Sequence, residues 1–170
     1  MPRSRTISLI GMPGAGKSTV GVLLAKIAGI GFVDADIEIQ CRAKAALQDI
    51  LDAQGYERLR GIEAAVIGQT RLEGNVIATG GSAVYSDVVM ARLGAAGPVV
   101  YLEVDLPTLE ARIGGQTDRG IASPPGQDLA QIYAERTRLY ERYADLVVNC
   151  NGRDPQAIAS DILAHVNQRF

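Results

Sequence analysis

The stretch Gly11-Met-Pro-Gly-Ala-Gly-Lys-Ser18 (GMPGAGKS) fits the pattern G-x-x-x-x-G-K-[ST] at each fixed position. Residues 6–10 (TISLI) before it read as a short buried strand, and residues 18–26 (STVGVLLAK) after it read as a helix. A glycine-rich turn between a strand and a helix is a phosphate cradle. Gly11, Gly14 and Gly16 carry no Cβ, so the backbone can curl tightly around an anion. Its N–H groups, from Ala15 into the helix that opens with Lys17, Ser18 and Thr19, converge on that anion with the positive end of the helix dipole behind them. In such a loop Lys17 reaches the β- and γ-phosphates of a nucleotide and the Ser18 hydroxyl ligates Mg²⁺.

The totals narrow the class. A chain of 170 residues, 47% apolar and 21% charged, is long enough for one folded domain, here 1–170, and is not disordered. The net charge of −2 supplies no basic field for nucleic acid. No apolar stretch is long enough to span a membrane and residues 1–6 (MPRSRT) run straight into a strand, so a cytoplasmic protein is expected. Cys41 and Cys150 are far apart and read as reduced thiols; His165, the one histidine, falls in the C-terminal helix pattern as a surface or packing residue.

Strands and helices alternate along the chain. Strands are expected at 6–10, 31–34, 75–79, 98–104 and 145–149. Helices are expected at 17–28, 37–44, 47–54, 56–72, 86–93, 107–113, 128–143 and 155–168. Residues 114–127 (GGQTDRGIASPPGQ) have loop composition throughout. Apolar strands alternating with helices predict a parallel sheet covered on both faces, with ligands at the carboxyl ends of its strands. The glycine-rich turn, Asp34 and Gly80-Gly81 all fall at such ends. The chain is too short for a large motor or helicase, and it lacks the N-K-x-D base-reading motif of a GTPase. A small metabolite or nucleotide kinase remains.

Within that class the chain resembles the shikimate kinase family nearly end to end. GMPGAGKSTVG matches the family's opening, FVDADIEI (32–39) its F-x-D-x-D block and LRGIE (59–63) its F-R-x-x-E block. ATGG (78–81) matches T-G-G-G, RGI (119–121) stands at the R-P-L of the lid, and ERTRLYERYAD (135–145) matches R-x-P-L-Y. The resemblance implies a three-layer P-loop kinase fold, similar to adenylate kinase, with a five-stranded parallel sheet in the order 2-3-1-4-5 and a mobile lid at about 114–127. It also implies ATP- and Mg²⁺-dependent phosphorylation of shikimate to shikimate 3-phosphate, a step of aromatic amino-acid biosynthesis. A monomer acting on a small hydroxy acid, with neither nucleic acid nor membrane as partner, is expected.

Residue roles follow from both lines. Asp34, at a strand end beside the cradle, can hold Mg²⁺ opposite Ser18, cap the next helix, or do both. By resemblance Asp36 contacts the hydroxyl that becomes phosphorylated, where a carboxylate orients it and takes its proton late; a helix cap is the plainer alternative. Arg60 and Arg136 resemble the clamp on the substrate carboxylate, which guanidinium grips bidentately and lysine does not. Glu63 falls one helical turn after Arg60 on the same acceptor side and is expected to hold that side chain. Gly80, Gly81 and Ser82 let the acceptor lie against backbone. Arg119, in the lid, brings a cation to the γ-phosphate as the lid excludes water. Arg112 matches the family's adenine-stacking arginine, and the 151–155 loop, with Arg153 and Pro155, its adenine contact.

The chain departs from the family on the acceptor and lid side. Ser82 replaces a third glycine, Leu51 and Leu59 stand where the family prefers phenylalanine, Gly120 replaces the lid proline, and Arg138 replaces the proline of R-x-P-L-Y. Donor chemistry is thus legible and the acceptor open: shikimate, another small hydroxy acid such as homoserine, a nucleoside or nucleotide acceptor, or a nucleotide-binding module without turnover.

Overall fold

The computed structural model describes residues 5–114 and 120–169. Five strands, β1 (Ile7–Ile10), β2 (Gly31–Asp34), β3 (Asn75–Ala78), β4 (Val99–Glu103) and β5 (Leu146–Asn149), form one parallel sheet in the order β2-β3-β1-β4-β5. The most apolar strands are the innermost: β1 is buried along its whole length and is flanked by β3 and β4, with Ser8 opposite Ile77 on one side and Val99 on the other. Burial on both faces is what a parallel sheet between helix layers requires.

Eight helices are described: α1 (Lys17–Ala28), α2 (Ala35–Ala43), α3 (Leu47–Gln54), α4 (Tyr56–Gln69), α5 (Asp87–Ala96), α6 (Leu106–Ile113), α7 (Leu129–Tyr143) and α8 (Pro155–Arg169). They cover both faces of the sheet, with α1 packed on α8 and α7 against β4. The main core joins Leu9, Leu24, Val100, Leu102 and Ile162 between these layers. A smaller cluster, Ile39, Ile50, Leu59, Val66 and Ala122, holds α2, α3 and α4 together beside the sheet.

Local chemistry explains where boundaries differ from the sequence reading. Helix α2 starts at Ala35, two residues earlier than expected, because Asp34 caps it: Asp34 Oδ1 accepts from Asp36 N (3.0 Å) and Ile37 N (3.3 Å). The cap alternative for Asp36 is therefore corrected; Asp36 lies inside the first turn. Helix α4 ends at Gln69 rather than at residue 72, since the Thr70 hydroxyl donates to Val66 O (2.8 Å) and the chain then turns Leu72 into the core. Helix α5 runs from its Ser86 cap on to Ala96, three residues beyond the expected end.

Candidate active site

The strand ends build a cleft of about 460 Å³, with the glycine-rich loop at its floor. The loop turns on positive φ at Gly14 (83°) and Gly16 (95°), and Gly16 starts α1 with no side-chain cap. The first-turn N–H groups of α1 are thereby left to an anion. Lys17 folds back over the loop, its Nζ donating to Gly11 O (2.7 Å) and Met12 O (2.8 Å). Burial pushes the Lys17 ammonium down to about 8, against the opposing pull of Asp36, Glu63 and Asp34. Phosphates brought beside it reverse that shift. Nucleotide binding at pH 8 is therefore expected to take up about half a proton. Calorimetry in two buffers of different ionisation enthalpy reads this number; zero uptake or net release would contradict the role given to Lys17.

Ser18 Oγ donates to Asp34 Oδ2 while Oδ1 of the same carboxylate caps α2. Asp34 thus caps α2 with one oxygen and keeps the other beside the Ser18 hydroxyl. A hydroxyl and a carboxylate oxygen side by side suit Mg²⁺, which takes few protein ligands and completes its shell with phosphate oxygens and water. The described residues hold no cluster of three His, Cys, Asp or Glu suited to a metal. Arg112 Nη1 donates to Gly14 O (3.0 Å), and Thr19, Arg153 and Pro155 line the same cleft. Arg153 also pairs with Asp161 on α8. Arg119 lies outside the described residues.

The opposite wall carries the acceptor-side residues. Asp36 and Glu63 face each other across Gly80: a Cβ on Gly80 would collide with Glu63 Oε1 and lie 2.9 Å from Asp36 Oδ1. Gly81 is equally constrained: a Cβ there would lie 2.7 Å from Pro13 Cδ and 2.8 Å from Arg136 Nη1. Burial raises both carboxylates, Glu63 to about 7, with the neighbouring Asp36 adding to the effect. Arg136 is only 1% exposed and has no ion-pair partner among the described residues. Its Nη2 donates to Ala122 O (2.8 Å), and its Nε has no partner. Arg60 Nε donates to the same carbonyl (3.1 Å), so one backbone oxygen ties both arginines to the segment that follows Gly120.

Two expectations need correction. Glu63 does not hold Arg60; its Oε2 accepts from the Ser82 hydroxyl. The spacing of three places both residues on adjoining parts of one helix face, but Arg60 turns away to Ala122. Arg60 also borders the cleft rather than lining it, with its guanidinium 3.8 Å from the Tyr85 ring centre and 5.0 Å from that of Tyr56. Leu59 lines the cleft, whereas Leu51 packs on the small apolar cluster.

Sequence reasoning overlooked three residues. Tyr85, in a 3₁₀ turn at Ala83–Tyr85, stacks under Arg60, lies 5.5 Å from the Arg136 guanidinium and donates to Glu135 Oε1 (2.5 Å). Ala122 supplies the shared carbonyl. Tyr140, buried and stacked on Tyr101 at 5.1 Å, donates to Gly81 O (2.6 Å) and braces the backbone against which an acceptor would lie. It is the tyrosine that closes the block matched to R-x-P-L-Y, four residues after Arg136 on α7, and that match was the signal available in the sequence.

A cleft of this kind has two chemically different ends. One is built for phosphate; the other offers carboxylates to hydroxyl groups and a dry guanidinium to an acid. On a parallel sheet of this order, the combination defines a phosphate-loop kinase of small metabolites. The family model for shikimate kinase matches residues 13–167, and the chain belongs to that family. It is thus a phosphotransferase acting on a hydroxyl group. A shikimate kinase of Pseudomonas entomophila is 38% identical over 167 residues, covering 96% of this chain and 97% of its own. One from Mycobacterium tuberculosis is 38% identical over 163 residues, covering 93% and 91%. Among solved structures, shikimate kinase from Acinetobacter baumannii in complex with shikimate superposes with a TM-score of 0.89 at 29% identity, covering 98% of this chain and 95% of its own. The enzyme from Aquifex aeolicus gives 0.81 at 27% identity, covering 95% of each chain. No helix among the described residues is long and apolar enough to cross a membrane.

Proposed function

We propose that this protein transfers the γ-phosphate of ATP to the 3-hydroxyl of shikimate, working as one kinase domain over residues 1–170 with 114–127 as its lid. The observation that carries the reading is Arg136: a buried guanidinium facing the cleft opposite Lys17, without a carboxylate partner among the described residues. Leaving such a charge unpaired is costly unless a ligand anion completes it. The shikimate-bound relative from Acinetobacter baumannii supports an acid of that size as the ligand.

The residues divide the work. Backbone N–H groups of Gly14 and Gly16 and the first turn of α1 bind the triphosphate, beside Ala15, whose N–H donates to Met12 O (3.1 Å); Lys17 leaves its two carbonyls for the β- and γ-oxygens. Ser18 and Asp34 would hold Mg²⁺, which when bound would supply charge neutralisation for phosphoryl transfer. Arg112, Arg153 and Pro155 border the adenine. Asp36 receives the hydroxyl that attacks phosphorus, keeps it in line and accepts its proton as the new P–O bond forms. Arg136, with Arg60 behind it, anchors the carboxylate; Glu63 takes a second hydroxyl. Arg119 brings a further cation to the γ-phosphate when the lid closes. Two thiols left unpaired, Cys41 and Cys150, suit a reducing compartment, and we place the enzyme in the cytoplasm as a monomer.

The test is a side-by-side panel of shikimate, homoserine and a nucleoside, each with Mg-ATP. Shikimate is expected to give a kcat/KM at least about 100-fold above homoserine, since a site that hydrogen-bonds one hydroxyl pattern rejects a ligand lacking it. A preference for homoserine or a nucleoside would overturn the choice of acceptor, and ATP binding with no phosphorylated acceptor would overturn the kinase reading.

A further inference from the structure

We propose that Ser82 is a positioning residue: its hydroxyl takes one oxygen of Glu63 and so aims the other at the acceptor. The inference rests on the reading of Glu63 and Asp36 as the carboxylates that face the acceptor hydroxyls.

Ser82 is buried and stands at the entry to the Ala83–Tyr85 turn, where its carbonyl accepts from Tyr85 N (3.1 Å). That backbone bond holds the residue while its side chain donates to Glu63 Oε2. Glu63 Oε1 is buried and has no partner among the described residues. It points over Gly80 into the space that Asp36 Oδ1 also faces. A carboxylate with both oxygens free could rotate about its last torsion and present either one. With Oε2 occupied, a single oxygen with one direction remains, next to the oxygen of Asp36. Two such acceptors side by side select a ligand with two neighbouring hydroxyl donors.

Electrostatics agree with this arrangement. Glu63 is faced by Lys17 from α1, Asp36 from α2 and Arg136 from α7. Burial and Asp36 favour its protonated form, while the Ser82 hydroxyl, Arg136 and Lys17 favour the carboxylate. A protonated Glu63 is a poor acceptor for a ligand hydroxyl, so losing the Ser82 donor carries the site toward the wrong form.

The experiment uses the full-length enzyme and compares Ser82→Ala, Ser82→Thr and Glu63→Gln with shikimate as the varied substrate. Ser82→Ala is expected to raise the shikimate KM about tenfold, keep the ATP KM and kcat within about twofold, and move the acid limb of kcat/KM to higher pH. Ser82→Thr keeps a hydroxyl and is expected to restore both KM and limb. Should Ser82→Ala prove unstable, Ser82→Gly removes the same hydroxyl without adding bulk. An unchanged KM and an unmoved limb in the hydroxyl-free variants, or equal damage in Ser82→Thr, would overturn the proposal. Glu63→Gln separates the two levels. If it raises the shikimate KM while Ser82→Ala does not, Ser82 loses its role alone; if it leaves KM unchanged, the acceptor-facing reading of Glu63 falls and the proposal with it.

Discussion

Lys17→Met is expected to lower kcat by about 10³-fold while leaving the ligand-free protein at least as heat-stable as the original. The first half follows from charge. A phosphoryl group in transfer spreads negative charge over its oxygens, and a fixed cation in a dry site is worth about two to three orders of magnitude in rate. The second half follows from burial. The Lys17 ammonium is depressed from 10.5 to about 8 because the fold removes it from water. Stability linked to this group is therefore fully present above 10.5 and is lost as pH falls through about 8. At pH 7 the folded protein holds a buried charge that the unfolded chain keeps solvated. Methionine relieves that cost, so the gain in melting temperature should be larger at pH 7 than at pH 10. Steady-state kinetics with scanning calorimetry at the two pH values checks both halves. A kcat within tenfold of the original would remove Lys17 from the transition state, and a collapse in melting temperature at pH 7 would contradict the burial argument.

Arg136→Lys is expected to raise the shikimate KM about 100-fold with little change in the ATP KM. The substitution keeps the charge and loses the fork. Arg136 already spends Nη2 on Ala122 O, while its Nε has no partner and Nη1 lies against Gly81 at the cleft wall. Two parallel N–H donors on a carboxylate contribute about 3 kcal/mol through charge-assisted hydrogen bonds, and a single ammonium reaches only one oxygen at a time. Tyr140 and Tyr85 surround the site through the Gly81 carbonyl and the guanidinium face, so the lysine end has no fixed platform. Initial rates with each substrate varied in turn separate the two KM values. Equal increases in both would mean that Arg136 supports the fold of the cleft rather than the acceptor.

The donor half of the site was legible because its chemistry is local. Eight consecutive residues make the cradle; the five strands and eight helices followed from periodicity, and the sheet order from the family resemblance. The cap at Asp34 could be read because a strand end and the helix it starts share one short segment. The acceptor half was less legible because it is assembled from distant segments. Glu63 and Ser82 meet across 19 residues, and Arg60 and Ala122 across 62. Spacing of three on α4 places Arg60 and Glu63 on adjoining parts of one face but leaves each side chain free to choose another partner. Tyr85 carried no motif; only the 3₁₀ turn brings its ring beneath Arg60. The departures at Ser82 and Leu59 were visible in the sequence, yet the hydrogen bond and packing that give them meaning appear only in three dimensions.

The central claim is that the buried Arg136 guanidinium, across from the phosphate cradle, grips the acid of the acceptor. It is tested most directly by comparing shikimate with its carboxamide, in the original enzyme and in Arg136→Lys. The account predicts that the original enzyme loses about 100-fold in kcat/KM on the amide, and that the variant shows a much smaller difference between the two acceptors because the grip is already gone. An equal ratio for the two enzymes, or an amide used as readily as the acid, would contradict it.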